Sequence, residues 1–209
     1  VLATNARTAE MCKLTENSYR DVNIAFANEL SMICDRAGIN VWELIELANH
    51  HPRVKILQPG AGVGGHCIAV DPWFIVSDFP TDAKLIKAGR EVNDFKTEWV
   101  VEKIKNTALQ FELNNKRKPV IACMGLAFKP DIDDLRESPA LEIARNLHNS
   151  QLNIICVEPN VHELKDLTLI TTNDAIVQAD IICYLVKHSS FKGLKNNINK
   201  IELDFCDVN

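Results

Sequence analysis

Several features that mark particular classes of protein are missing from this 209-residue sequence. No apolar run approaches the ~18 residues that a membrane span needs, and the start shows no signal-peptide pattern. There is no basic run, and the formal net charge is −5. We therefore expect neither a membrane nor a nucleic-acid partner. Because the chain begins with Val1-Leu2-Ala3 and not with Met, we expect it to be part of a longer protein.

The seven cysteines are odd in number and include no C-x-x-C pair. Most lie inside apolar runs, which is typical of a reduced compartment where cysteine packs as a small hydrophobe. This usage predicts a cytoplasmic protein in which six of the seven are structural. The spacing of His50, His51, His66 and Cys67 fits no standard zinc pattern, so no metal site is expected.

Cys67 differs from the other cysteines because four of the chain's eight glycines lie just before it. Glycine lets the backbone approach a ligand closely and leaves N–H groups free to face an anion. A thiol among such donors can be held as the nucleophilic thiolate, and Asp71 follows four residues later. We favour a catalytic cysteine here over the alternative of a buried structural one.

The same segment contains the string Gly60-x-Gly62-x-x-Gly65, which matches a dinucleotide fingerprint. That fingerprint requires a strand before the glycines and a helix opening at the last one. Pro59 precedes the string and Pro72 follows it too soon for a crossover helix. We therefore expect no nicotinamide-binding fold in this chain.

The first half of the sequence has a helical pattern. Gly38 ends a long stretch that lacks proline and glycine and follows a helical period. Helices are predicted over 6–36, over 40–49, and from Thr81 or Asp82 to about 112, with an irregular segment over 53–80.

The second half alternates short apolar strands with helices, which predicts a doubly wound parallel sheet of Rossmann-like type. Strands are expected at 119–125, 153–158, 180–186 and 201–206, and helices after Ser138 and at a cap on Asn173. The α/β fold therefore divides into a helical region, 1–114, and a sheet domain, 115–209. Ligands bind beyond the carboxyl ends of such strands, which places 125–136, 158–160 and His188 near a site.

Other charged positions are less distinctive. Lys13 and Asn17 share one face of the first helix, for which a solvated surface is the favoured interpretation, and Arg53 is interpreted as a surface charge. Lys129 and Arg136 follow the first strand, where they suit a phosphate or carboxylate ligand; a plain connecting loop is equally compatible.

Three ordered motifs resemble the signatures of the UDP-glucose/GDP-mannose dehydrogenase family. They are Glu10-Met-Cys-Lys-Leu-Thr-Glu-Asn17, Gly62-Val-Gly-Gly-His-Cys67 with Asp71, and Gly125-Leu-Ala-Phe-Lys129 with Arg136-Glu-Ser138. The resemblance extends from residue 1 to about 193. It implies a helical dimerisation region and a C-terminal nucleotide-sugar domain, without the family's N-terminal NAD domain.

The resemblance also implies roles for individual residues. Cys67 would form a thiohemiacetal and then a thioester during oxidation of C6 from alcohol to carboxylate, with NAD as cofactor. Lys13 and Asn17 would stabilise the oxyanion, and Asp71 would activate water or position Lys13. Arg53 would reach the sugar in a partner subunit of a homodimer. The implied contacts to a UDP-sugar are Ile56, Leu57, Gly60, Gly62, Gly64, Gly65, Phe128 and Lys129, and Arg136 would reach towards NAD.

The wording around Cys67 favours UDP-N-acetyl-D-mannosamine as substrate. UDP-N-acetylglucosamine or UDP-glucose is the alternative, because one sequence does not fix the shape of a sugar pocket. A non-catalytic module that binds a nucleotide sugar and dimerises is the alternative from another functional class. The resemblance further implies a place in polysaccharide synthesis.

Overall fold

A computed structural model describes residues 3–194 and 199–208. Two compact units make up the chain. One takes Val1–Pro59 and Val63–Phe95, and the other takes Gly60–Gly62 and Lys96–Asn209. The predicted assignment of 1–114 and 115–209 to two functional domains stays a prediction.

The first unit is helical. It holds α1 (Ala6–Ala37), α2 (Val41–Ala48), α3 (Asp71–Asp78) and the beginning of α4 (Lys84–Asn115). The side chain of Asn5 caps α1 by accepting the Thr8 N–H, and Gly38 ends it with φ of 69°. A left-handed residue at this position favours glycine, so the predicted end of α1 is confirmed with its cause.

A buried polar cluster joins α1 to α4 within the helical unit. Arg90 Nη1 donates to Asp21 Oδ1 at 2.7 Å, and Asn93 Nδ2 donates to the same oxygen at 2.8 Å. Asn28 Nδ2 donates to Asn93 Oδ1 at 2.9 Å. Burial raises the pKa of Asp21, although Arg90 acts in the opposite direction. Because Asp21 Oδ2 and Arg90 Nε have no partner among the described residues, this ion pair carries a cost of burial.

The second unit contains a four-stranded parallel sheet in the order β2-β1-β3-β4. The strands are β1 (Ile121–Met124), β2 (Ile154–Val157), β3 (Ile181–Tyr184) and β4 (Ile201–Asp204). The remaining part of α4, α5 (Pro139–Asn149) and α6 (Thr172–Gln178) complete the unit, with a 3-10 turn at Ser189–Phe191. The predicted fold class is confirmed.

Alternate residues of β1, β2 and β3 enter two separate apolar cores, as a sheet covered on both faces requires. Ile121 and Cys123 pack in the core that includes α5 and the later part of α4. Ala122 and Met124 pack in the other core, with Ala175 of α6. Cys123 aligns with Cys156 on one side and Cys183 on the other, and all three thiols are buried and free.

Four details differ from the sequence predictions. The segment 53–80 is not wholly irregular, since α3 begins at Asp71 with Pro72 in its first turn, a position that proline favours. The helix predicted from Thr81 or Asp82 begins at Lys84. Thr171, and not Asn173, caps α6. Cys12 is exposed on α1, so it is not one of the expected core thiols.

Candidate functional site

The cysteine loop ends in a turn that leads directly into α3. The Cys67 carbonyl accepts the N–H of Val70 at 3.1 Å and of Asp71 at 2.8 Å. The Cys67 side chain is exposed and free, in contrast to the four buried thiols of the chain. The alternative of a buried structural cysteine is therefore wrong, and this thiol is open to a reactant.

Asp71, which begins α3, is joined to α1 by a hydrogen bond. Asn17 Nδ2 donates to Asp71 Oδ2 at 2.5 Å, and Asn17 is only 3% exposed. Asn17 therefore does not belong to a solvated helix face. Lys13, one turn earlier, is exposed and lies 3.6 Å from Glu16, so the predicted positioning of Lys13 by Asp71 stays a prediction.

The segment after α2 is fixed by an asparagine that the sequence analysis missed. Asn49 Oδ1 accepts the Ile56 N–H at 2.7 Å, and Asn49 Nδ2 donates to the Ile56 carbonyl at 3.0 Å. The signal in the sequence that could have indicated this role is an asparagine directly after the end of a helix. Ile56 is half-buried, whereas Arg53 and Leu57 are exposed. Arg53 and Leu57 are thus presented to solvent on a braced segment.

Three residues of the glycine loop belong to the sheet unit. Thr97 Oγ1 of α4 donates to the Ala61 carbonyl at 3.2 Å. Gly62 has φ of 152°, and a Cβ there would lie 2.8 Å from Pro139 Cβ and even closer to Thr97 Oγ1. Only glycine fits this position without strain. The rest of the loop, including Gly64 and Gly65, belongs to the helical unit.

The loop that follows β1 carries the other predicted binding residues. It leaves the sheet at Gly125, where φ is 89° and a Cβ would lie 2.6 Å from Val186 Cβ. Phe128 is half-buried and Lys129 is exposed, with the Lys129 ammonium 5.5 Å from the Phe128 ring centre. Arg136 forms a two-point ion pair with Asp134, at 2.9 Å from Nε and 2.7 Å from Nη2. The hydrogen bonds that Arg136 donates to Asp134 raise the pKa of Arg136.

Glu158 and His188 meet at the same edge of the sheet, as the parallel topology predicts. Glu158 follows β2, and its Oε2 lies 3.1 Å from His188 Nε2. The same oxygen accepts the N–H groups of Leu126 and Ala127 at 2.7 and 2.9 Å. Burial raises the pKa of Glu158, but hydrogen bonds from His188 and from the Leu126 and Asn160 N–H groups outweigh it and hold the pKa below its usual range.

The described residues form no cluster of three or more metal-ligating side chains, and none of their helices is long and apolar enough to span a membrane. The glycine loop also does not fit a dinucleotide. No strand precedes Gly60 within the described part of the helical unit, and α3 begins six residues after Gly65, so the strand–turn–helix geometry of the fingerprint is missing. The glycine loop is therefore not a dinucleotide-binding turn.

Two family profiles match the chain. The one described as "UDP-glucose/GDP-mannose dehydrogenase family, central domain" matches residues 7–95. The one described as "UDP-glucose/GDP-mannose dehydrogenase family, UDP binding domain" matches residues 122–204. Together they include the cysteine loop, the loop after β1, and both Glu158 and His188.

The chain is similar to several characterised enzymes. It is 59% identical over 207 residues to the UDP-N-acetyl-D-mannosamine dehydrogenase of Escherichia coli K12, covering 94% of this chain and 49% of that protein. It is 57% identical over 198 residues to the NDP-N-acetyl-D-galactosaminuronic acid dehydrogenase of Ralstonia solanacearum, covering 92% of this chain and 46% of that protein. The chain thus spans about half the length of these relatives.

Among solved structures, the UDP-D-ManNAc dehydrogenase of Pyrococcus horikoshii matches with a TM-score of 0.85 at 38% identity. That match covers 99% of this chain and 50% of the archaeal chain.

Proposed function

This chain belongs to the UDP-glucose/GDP-mannose dehydrogenase family, and we propose that it forms the central and nucleotide-sugar-binding parts of an NAD-dependent UDP-N-acetyl-D-mannosamine 6-dehydrogenase. The enzyme would oxidise the C6 alcohol of its substrate to a carboxylate, which supplies an acidic sugar for polysaccharide synthesis. Because the chain is also similar to an NDP-N-acetyl-D-galactosaminuronic acid dehydrogenase, a second nucleotide-linked N-acetylhexosamine is an alternative substrate.

The observation that carries this proposal is the exposed thiol of Cys67. Cys67 begins the turn that leads to Asp71, and Asp71 accepts a hydrogen bond from Asn17. The C6 alcohol would first lose a hydride and a proton to become the aldehyde, and the Cys67 sulfur would add to the aldehyde carbon while its oxygen takes up a proton, which gives a thiohemiacetal. Loss of a second hydride and a proton would give a thioester, which water would hydrolyse to the carboxylate and the free thiol. NAD supplies the oxidising chemistry when it is bound. Lys13 and Asn17 would stabilise the oxyanion with a cation and an amide N–H.

The proposed contacts to the substrate lie on three segments: the loop after β1, the segment after α2 and the glycine loop. Phe128 and Lys129 would contact the uridine diphosphate, where the ammonium complements phosphate charge. Arg53, Ile56, Leu57 and the glycines Gly60, Gly62, Gly64 and Gly65 would line the sugar. Arg136 would have to leave Asp134 to reach towards NAD.

The helical unit supports the proposed homodimer through an apolar stripe on α1. Tyr19, Phe26 and Ile33 are spaced by seven residues and therefore lie on one side of the helix. They are 69%, 56% and 56% exposed. Large apolar side chains in one exposed row are typical of a surface that a partner covers.

Thiol labelling of the full-length protein tests the catalytic assignment, because Cys12 is a matched exposed thiol in the same unit. We expect iodoacetamide to modify Cys67 faster than Cys12, and a UDP-sugar to protect Cys67 only. Cys67→Ser should lower NAD reduction by about a thousandfold or more, whereas Cys12→Ser should leave it unchanged. Full activity of Cys67→Ser would remove Cys67 from the reaction, whereas equal slow labelling together with no NAD reduction by the unaltered protein would support the non-catalytic binding module.

The sugar is tested by parallel assays of the full-length protein. UDP-N-acetylmannosamine should give a higher kcat/KM for NADH formation than UDP-N-acetylgalactosamine, UDP-N-acetylglucosamine or UDP-glucose. A higher value for any of these three would reassign the substrate while leaving the reaction class in place.

A further inference from the structure

Glu158 is a buried carboxylate that the proposed reaction does not use. Its two oxygens together accept hydrogen bonds from five groups. Oε2 accepts from the Leu126 N–H, the Ala127 N–H and His188. Oε1 accepts from the Asn160 N–H at 3.1 Å and from Asn160 Nδ2 at 3.4 Å. A carboxylate that accepts several backbone N–H groups stays ionised. The negative charge of Glu158 therefore binds the backbone N–H groups at the start of the loop after β1.

His188 links this carboxylate to a later point of the same loop. Its Nδ1 accepts the Asp131 N–H at 3.0 Å, so the proton of the neutral ring lies on Nε2 and is donated to Glu158. The Phe191 ring packs edge-on against the imidazole with centres 5.3 Å apart. One buried side chain thus binds both Glu158 and the backbone of Asp131.

Asp131 adds a second attachment at that point. Its Oδ1 accepts the Ser189 N–H at 2.9 Å and the Ser189 hydroxyl at 3.0 Å. Asp131 has φ of 60°, a conformation that costs energy for a residue with a side chain. The attachments to His188 and Ser189 offset this cost and fix the loop in its strained form.

The loop is therefore held on both sides of Phe128-Lys129-Pro130. Leu126 and Ala127 are attached before this tripeptide and Asp131 is attached after it, and the Leu126 carbonyl also accepts the Ser138 hydroxyl at 2.6 Å. Phe128 and Lys129 are the residues that we assign to the uridine diphosphate.

We propose that Glu158 and His188 are positioning residues that, with Asp131, clamp this loop in the conformation that binds UDP. The inference rests on the proposed function. A loop that is ordered before binding loses less conformational entropy when the ligand arrives. Loss of the clamp therefore weakens binding of UDP and of the substrate, and leaves the chemistry at Cys67 unchanged once substrate is bound.

The test uses Asp131, whose side chain is 54% exposed, so that the variants retain the fold. In the full-length protein, Asp131→Ala should weaken UDP binding by about tenfold in calorimetric titration, since two hydrogen bonds are lost. Asp131→Asn keeps an acceptor for Ser189 and should bind within about twofold of the unaltered protein. Asp133→Ala removes an equal charge from an exposed residue of the same loop and should not change the affinity.

Glu158→Gln and steady-state kinetics extend the test to the buried partner. Glu158→Gln and Asp131→Ala should raise KM for the UDP-sugar and keep kcat, because a defect in binding disappears at saturation. If Glu158→Gln does not fold, the Asp131 series decides the question. Equal UDP affinity of Asp131→Ala, Asp133→Ala and the unaltered protein would overturn the clamp. Absence of UDP binding by the unaltered, folded protein would overturn the proposed function instead.

Discussion

Gly62 shows how one residue can fix the course of a functional loop. Its positive φ and its contact with Thr97 and Pro139 leave no room for a side chain. We expect Gly62→Ala to lower the free energy of unfolding by about 1–3 kcal/mol, because the methyl group meets both strain and overlap.

Urea denaturation measures this difference, and Gly60→Ala is the control. A Cβ at Gly60 would meet only the Gly62 carbonyl oxygen, at an ordinary 3.7 Å. Equal stability of the two variants would show that the loop yields at Gly62.

Arg90 contributes to stability through its charge, because it neutralises the buried carboxylate of Asp21. Arg90→Met leaves the buried carboxylate of Asp21 without its cation, which should cost about 3–5 kcal/mol at pH 7. The pKa of Asp21 is already raised by burial and would rise further without Arg90. Its protonation favours the folded state, so the deficit of the variant should shrink as pH falls through the raised pKa.

Urea denaturation at pH 7 and at pH 5 measures both effects. Lys87→Met is the control on the same helix, because Lys87 pairs with Glu91 at the surface, 3.6 Å away. That loss should be within about 1 kcal/mol. A deficit of Arg90→Met that grows on acidification would contradict the assigned direction.

At the scale of elements, one ion pair joins the beginnings of two strands. Arg117 Nη1 and Nη2 donate to the two oxygens of Asp180 at 2.7 and 2.6 Å, and the Val120 N–H donates to Oδ2 at 2.9 Å. The hydrogen bonds from Arg117 hold the pKa of Asp180 below its usual value. The stabilisation by Asp180 is therefore complete above the unfolded pKa and disappears as pH falls through the lowered one.

Asp180→Asn should accordingly be less stable than the unaltered protein at pH 7, and the difference should begin to shrink as pH falls below about 4, the ordinary Asp pKa. Chemical denaturation across pH 3 to 7 measures this decrease. Asp133→Asn should stay within about 0.5 kcal/mol throughout. A constant difference down to the lowest pH would remove Asp180 from the acid response.

Elements with strong local signals were predictable from the sequence. Ser138-Pro139 marks the start of α5, Gly38 ends α1, and three of the four strands are short apolar runs. α3 was not predictable from period or composition, because its eight residues show no long apolar stripe and Pro72 suggested a break. Its Asp71–Asn17 bond spans 54 residues, and such a contact leaves no local trace in the sequence.

The site was predictable only in part for the same reason. The glycines before Cys67 and the topology of the strands pointed to the right segments. The bonds that fix those segments, from Asn49, Glu158 and His188, depend on where distant residues meet. Polar residues at the ends of parallel strands were the signal for the last two, and their joint hold on one loop required the structure.

At the scale of the whole molecule, the exposed row on α1 predicts the state of association. Phe26→Asp places a charge in the centre of the row. Dimerisation would then be less favourable, because it would remove this charge from water. The full-length protein should behave as a dimer in light scattering, and Phe26→Asp should shift it towards the monomer. Arg20→Asp also adds an exposed acid to α1, about a third of a turn away around the axis, and should remain dimeric.

The row of Cys156, Cys123 and Cys183 across the sheet has an experimental use. All three thiols are buried in the core, on strands that are hydrogen-bonded to one another. A brief pulse of a maleimide dye can therefore react with them only when the strands separate. Mass spectrometry after such pulses would measure how fast the sheet unfolds, and no cysteine would have to be introduced for the experiment.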